Sequence, residues 1–236
     1  MISEASYLIV QIYIRLLNWL SKISKLYMVT DGIYTITELR TNDSRYAEAM
    51  IFYHDAFGGT DGYTDSREIC HWLEFIGSYH ALIILKDDKI VGYLQFGHYQ
   101  SHDLLFIDYY RLKGVKHDEV YDLLTQYFNK FYKSKVVVTE VVTESRERLF
   151  RKLGFKTSYI DYSHPLMEVD DVKFHESKLL IKSDKILDRE EELKLLECIY
   201  FQHYQVWNSI YGSSSGEYNQ KLKDKFEEIR LKTVPI

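Results

Sequence analysis

Apolar and polar positions alternate in short runs through most of the chain, then switch to helical spacing near its end. Tyr34 to Arg40 (YTITELR) alternates with period two and predicts a strand. The following TNDSRYAEAMIFYHDAF opens with capping residues and sets Tyr46, Met50 and Tyr53 on one helical face. A glycine-rich break, GGTDGYT, comes next, and Asp65 or Ser66 can cap a helix that runs to Phe75. HALIILKDDKIVGYLQFGHY reads as two strands joined by a tight turn at Asp87-Asp88.

DLLFIDYY, residues 103–110, is a further strand, and Val120, Leu123, Leu124, Tyr127, Phe128 and Phe131 form one apolar helical stripe after it. KVVVTEVV, residues 135–142, is nearly all apolar, as a strand covered on both faces would be. ESRERLFRKLGF predicts a short helix closed by Gly154, and KTSYIDY and KLLIKSD predict two more strands. From Leu187 the pattern is purely helical. Leu193, Leu196, Tyr200, Tyr204, Trp207 and Tyr211 line one long face, GSSSG at 212–216 breaks it, and Tyr218, Leu222, Phe226 and Ile229 line a second.

The N-terminal stretch is the one segment open to a membrane reading. Its longest uncharged run, Ala5 to Ile14, is too short to span a bilayer, and Glu4 precedes it where a signal peptide carries positive charge. Gln11, Arg15, Asn18, Lys22 and Lys25 oppose Ile9, Ile12, Leu16, Leu20 and Ile23, so an amphipathic helix is expected, packed on its own domain or on a second copy rather than on a membrane. Three parts follow: a helix over 1–32, an α/β domain over 33–184 and a helical extension over 185–236.

Charge and cysteine content narrow the function. A net charge of −5 argues against a broad electrostatic grip on nucleic acid and suits a cationic partner. With only 2 cysteines, Cys70 and Cys198, there is no disulfide framework and no cysteine-rich zinc site, so a reducing, cytoplasmic setting is expected. His98 and His102 are four apart in a hairpin, a spacing that does not put them on one face, and no metal site is expected.

The candidate chemistry sits at RLKGVK, residues 111–116, where a strand ends in a glycine turn that opens a helix. Such a turn aims several backbone N–H groups and the positive end of a helix dipole at one spot, which suits a pyrophosphate. RLKGVK, together with RLFRKLGF at 148–155 and the order of the elements, resembles the GCN5-related N-acetyltransferase (GNAT) superfamily over roughly residues 33–184. RLKGVK is similar to that family's acyl-CoA signature, Gln/Arg-x-x-Gly-x-Gly/Ala, with Lys116 in the place of the last small residue. Phe150 stands where many members carry a proton-donating tyrosine.

The resemblance implies an α/β (α+β) fold with a mixed β-sheet that splays between the strands at 103–110 and 135–142, flanked by helices. It implies acetyl-CoA as co-substrate, with the pantetheine arm in the gap pairing near Ile107 and Tyr109. The pyrophosphate would lie on the amides of Arg111, Leu112, Lys113, Gly114, Val115 and Lys116, with Phe150 beside the cofactor. The implied reaction is direct attack by a primary amine, of a small molecule or a peptide, on the thioester. A base must take the amine's proton. Glu140, among valines at the end of its strand, is the first candidate, with a raised pKa if buried; His102 with Asp103, and Asp108, follow. Tyr109, Tyr159 and Tyr162 are candidates for the missing acid. The alternatives are a non-catalytic acyl-CoA-binding regulatory module and an interaction scaffold. The added helices are expected to cover the acceptor cleft or to build a homodimer.

Overall fold

The computed structural model describes residues 28–60, 63–168, 171–204 and 215–233. The expected N-terminal amphipathic helix, Trp207 and Tyr211 lie outside the described residues. The strands are β1 (Met28–Asp31), β2 (Tyr34–Leu39), β3 (Tyr79–Lys86), β4 (Lys89–Tyr99), β5 (Leu104–Leu112), β6 (Val136–Val141), β7 (Lys156–Thr157), β8 (Ser163–Glu168), β9 (Asp171–Glu176) and β10 (Lys178–Ser183). The helices are α1 (Tyr46–Phe57), α2 (Ser66–Phe75), α3 (His117–Phe131), α4 (Glu144–Lys152), α5 (Arg189–Cys198) and α6 (Ser215–Thr233). A 3₁₀ turn covers Gln100–His102, and a π-turn over Ile199–His203 continues α5.

Eight strands form one sheet in the order β1-β2-β3-β4-β5-β6-β10-β7. Every pairing is antiparallel except β5 with β6, which is parallel. The parallel pair is reached by a crossover through α3, the connection such a pair requires. The hairpin between β3 and β4 turns on Asp87 and Asp88, both at positive φ (49° and 67°), as a two-residue turn matched to the strand twist demands.

Period-two alternation along the strands decides which helices cover which face. Leu82 and Ile84 of β3 share a core with Val120, Leu123 and Leu124 of α3, while Ala81 and Ile83 pack with Tyr53 of α1 and Trp72 of α2. On β5, Leu105 and Ile107 join the α3 side, whereas Leu104 and Phe106 join Leu196, Tyr200, Leu222 and Phe226. One face of the sheet is therefore covered by α3 and α4. The other is divided between α1–α2 and the C-terminal helices, which share a core with this chain's own sheet.

Several elements differ from the sequence reading. β1 and the β8–β9 hairpin were not expected. Only Lys156 and Thr157 of KTSYIDY are strand, because β10 offers that segment just two pairing partners. Ser215 and Gly216, expected in the GSSSG break, already belong to α6. Among the described residues, no helix is long and apolar enough to cross a membrane.

Candidate active site at the fork of the sheet

The parallel ladder between β5 and β6 is short. It runs from Leu104 opposite Val136 to Ile107 opposite Thr139, and Thr139 Oγ1 donates to the Ile107 carbonyl at 3.1 Å across the last pair. Beyond that pair β5 stays with β4 as far as Leu112, and β6 stays with β10. The sheet therefore forks, and the two residues just past the fork are Asp108 and Glu140. A register shift in the β4–β5 pairing leaves Asp108 without a partner between Ile107 and Tyr109, so it is a bulge that re-aims its side chain.

Asp108 is 8% exposed and takes hydrogen bonds from two sides. Tyr79 donates its hydroxyl to Oδ2 at 2.7 Å, and His203 donates Nε2–H to Oδ1 at 3.0 Å. At the other side of the His203 ring, Nδ1 and the Tyr99 hydroxyl share a hydrogen bond at 2.7 Å. Gln95 donates to Tyr79 and accepts from Tyr93, which extends a directional chain through the interior to Asp108. Burial first, then the charge of Asp108, raises the phenols of Tyr79 and Tyr99 well above the ordinary tyrosine range. Gly97 makes room for this arrangement, since a Cβ there would lie 2.5 Å from the Tyr99 hydroxyl.

Glu140 forms a second cluster. Its Oε2 accepts from Tyr162 at 2.6 Å and from Tyr204 at 2.9 Å, and its Oε1 lies 2.7 Å from Nδ1 of His164 on β8. Burial alone would raise this carboxyl, as expected of a carboxylate among valines. The charge and hydrogen bond of His164 and the two tyrosine hydroxyls outweigh it and hold Glu140 below the usual carboxylate range. His164 moves the other way. Burial opposes its charge, yet Glu140 prevails and raises it. The two form an ion pair.

His203 and Tyr204 are consecutive, and they bring the clusters together. The π-turn that carries them has Tyr204 N–H donating to the Ile199 carbonyl, five residues back, at 3.0 Å. Both rings sit on Phe106, with centroids 4.6 Å and 6.3 Å away. One side chain reaches the acid on β5 and the other the acid on β6. His203, Tyr204, His164 and Tyr79 were not found as site residues from the sequence. Tyr204 was read as one member of an apolar stripe, and the separations to its partners leave no local spacing to detect. His102 is not in the cluster. It lies in the 3₁₀ turn before β5, at the end away from the fork, where Nδ1 meets Ser101 Oγ at 2.8 Å.

On the other arm of the fork, β5 leads through Leu112 into the turn at Lys113–Lys116. Gly114 has φ +72°, a conformation open to glycine at little cost, and nothing lies within 4 Å of where its Cβ would be. The Lys113 amide is committed to the Val91 carbonyl at 2.8 Å. Among the described residues, the amides of Gly114, Val115 and Lys116 have no acceptor, and no side chain caps α3. Lys116 points outward, 77% exposed and 3.6 Å from Glu119. Leu112 is buried in the core beside α3.

Tyr109 hydrogen-bonds Thr64 at 3.0 Å and meets the edges of Tyr53 and Phe57. Phe150 is 2% exposed, between Tyr110 and Phe155 at 5.8 and 5.1 Å. Arg146 enters the fork from α4 and donates Nη2–H to the Tyr110 carbonyl at 3.1 Å. Among the described residues, no group of histidine, cysteine and acidic side chains has the arrangement to hold a metal ion.

A parallel pair that forks above a glycine turn, within an otherwise antiparallel sheet, decides the fold. A solved structure from Bacteroides thetaiotaomicron, described as a GNAT-family acetyltransferase, matches 72% of this chain and 97% of its own, with a TM-score of 0.58 at 19% identity. The chain has the GNAT fold. A Salmonella typhimurium acetyltransferase solved with acetyl-CoA matches 66% of this chain and 96% of its own at 16% identity, with a TM-score of 0.46. No family model matches the sequence, and no curated protein matches it. The C-terminal segment carrying His203 and Tyr204 is packed against the fork of this GNAT sheet.

Proposed function

We propose that this chain is an acyl-CoA-dependent N-acetyltransferase that moves an acetyl group from acetyl-CoA to a primary amine by direct attack in a ternary complex. The observation that carries the reading is the fork itself. It leaves the backbone edge of β5 without a strand partner and leads, within a few residues, to the three amides of Gly114–Lys116. An extended amide-bearing arm pairs with the first, and a diphosphate suits the second, with Arg111 adding charge. The GNAT fold and the acetyltransferase description of the similar Bacteroides protein agree with this use.

In this reading Asp108 takes the proton of the incoming ammonium, because the charge of Glu140 is already matched by His164. The freed amine attacks the thioester carbon, the C–S bond breaks, the thiolate leaves, and the second N–H proton of the attacking nitrogen passes to that thiolate or to water, leaving the neutral amide. Phe150 has no proton to give, and a thiol of ordinary pKa, about 8.5, leaves as thiolate without one. Glu140 and His164 hold the tyrosine hydroxyls beside the acceptor. The acceptor is a small cationic amine or a basic peptide. The test is thiol release from acetyl-CoA across an amine panel, with Asp108→Asn as the control. We expect Asp108→Asn to lower kcat/KM by about 10²–10⁴ while CoA still stabilises the protein on heating. Equal activity in the variant removes Asp108 from the chemistry.

The second reading is a non-catalytic acyl-CoA-binding module. Phe150 at the acid position and the C-terminal segment covering both carboxylates favour it. CoA binding with no turnover on any amine would select it.

A further inference from the structure

Arg146 stands across the fork. It is in the first turn of α4, where its own amide bonds the capping Thr143 hydroxyl at 3.4 Å. From there its side chain crosses to the opposite strand and bonds the Tyr110 carbonyl at 3.1 Å, with the guanidinium carbon 6.0 Å from the centre of the Phe57 ring. Tyr110 belongs to the stretch of β5 that has lost β6 as a neighbour. Its carbonyl is thus one that an extended arm lying in the fork would use.

The guanidinium is half-buried, and among the described residues no carboxylate forms an ion pair with it. It is held below the ordinary arginine range first by burial and then by repulsion from Arg111, so the two cations are neighbours; Glu140 attracts it but is already paired with His164. Arg111 is exposed at the start of the turn and also has no ion-pair partner among the described residues. Two arginines thus lie between the fork and the free amides.

We propose that Arg146 makes the fork selective for thioesters that carry a nucleotide diphosphate. The inference rests on the acyl-CoA reading above. An arm entering the fork must take Tyr110's carbonyl from the guanidinium, and a displaced guanidinium needs an anion. A diphosphate on the amides beside Arg111 supplies one nearby. A bare pantetheine thioester supplies none and meets the full cost of breaking the bond. Arg146 therefore ties recognition of the diphosphate to opening of the slot for the thioester.

The experiment is calorimetric titration of wild type, Arg146→Ala and Arg146→Met with CoA and with pantetheine. Wild type binds CoA and strongly disfavours pantetheine. Both variants gain about tenfold in pantetheine affinity, the equivalent of one charge-assisted hydrogen bond that no longer has to be broken. They hold or lose CoA affinity, so the ratio between the two ligands falls about tenfold or more. An unchanged ratio in the variants, with CoA still bound by wild type, overturns the role of Arg146 alone. A wild type that binds neither ligand overturns the acyl-CoA reading with it.

Discussion

Replacing His164 by Phe keeps a ring on β8 and removes the cation from Glu140. The carboxylate would still accept from Tyr162 and Tyr204, at 2.6 and 2.9 Å, so it is not left bare. Losing one charge-assisted hydrogen bond costs about 1.5–3 kcal/mol. Abandoning a buried charge altogether costs about 3–5 kcal/mol. The two remaining donors place the expected loss in the lower range. The pH dependence carries the sharper test. His164 is raised above its ordinary 6.5, so its contribution is complete below that value and is lost as pH rises through its folded pKa. Glu140 is depressed below its ordinary 4.5, so its contribution is complete above 4.5 and is lost as pH falls through its folded pKa. Both contributions hold together between these two ordinary values. Urea unfolding of wild type and His164→Phe should show the full gap near about pH 6 and a gap that shrinks as pH rises through the folded pKa of His164. A gap that is already small near about pH 6 and does not change with pH would mean that His164 carries no charge there and the ion pair does not exist.

Three further outcomes follow from the same geometry. Gly97→Ala puts a Cβ 2.5 Å from the Tyr99 hydroxyl, and overpacking there should cost about 1–3 kcal/mol in urea unfolding and lower acetyl transfer with it. Gly114→Ala meets no atom but must hold φ +72°, so it should cost about 1–2 kcal/mol in stability and weaken CoA measurably by calorimetry. Lys116→Ala removes a side chain that is 77% exposed and should leave stability within about 0.5 kcal/mol, read by the same unfolding assay.

The sheet was legible because its strands alternate cleanly. YTITELR, HALIILK and KVVVTEVV each sort their side chains to two faces, and the Asp87-Asp88 turn fixes where one hairpin reverses. The glycine turn was legible because a strand, a glycine and an amphipathic helix occur in immediate succession. The pairing of Asp108 with His203 and of Glu140 with Tyr204 was not. Neither partner lies on a neighbouring element in sequence, and a tyrosine at helical spacing satisfies an apolar stripe as well as a hydrogen bond. Local pattern reports which way a residue faces, not which distant donor waits there. The lowered pKa of Glu140 was missed for the same reason, since burial was visible in VVVTEV and the three donors were not. β8 and β9 were hidden because they pair only with each other and bury one face beneath the C-terminal helices.

The consecutive placement of His203 and Tyr204 also sets an order of assembly. Asp108 lies 95 residues before His203, and Glu140 lies 64 before Tyr204. During synthesis every strand of the forked sheet is made before either donor exists. Until then both acids must stay hydrated, and the face of the sheet around Phe106 cannot close. Docking of the last helices is thus the step that expels water from the fork. A nascent chain cut short before residue 203 would hold a nearly complete sheet with an open, wet seam, a form that chaperones and proteases can tell from the finished protein.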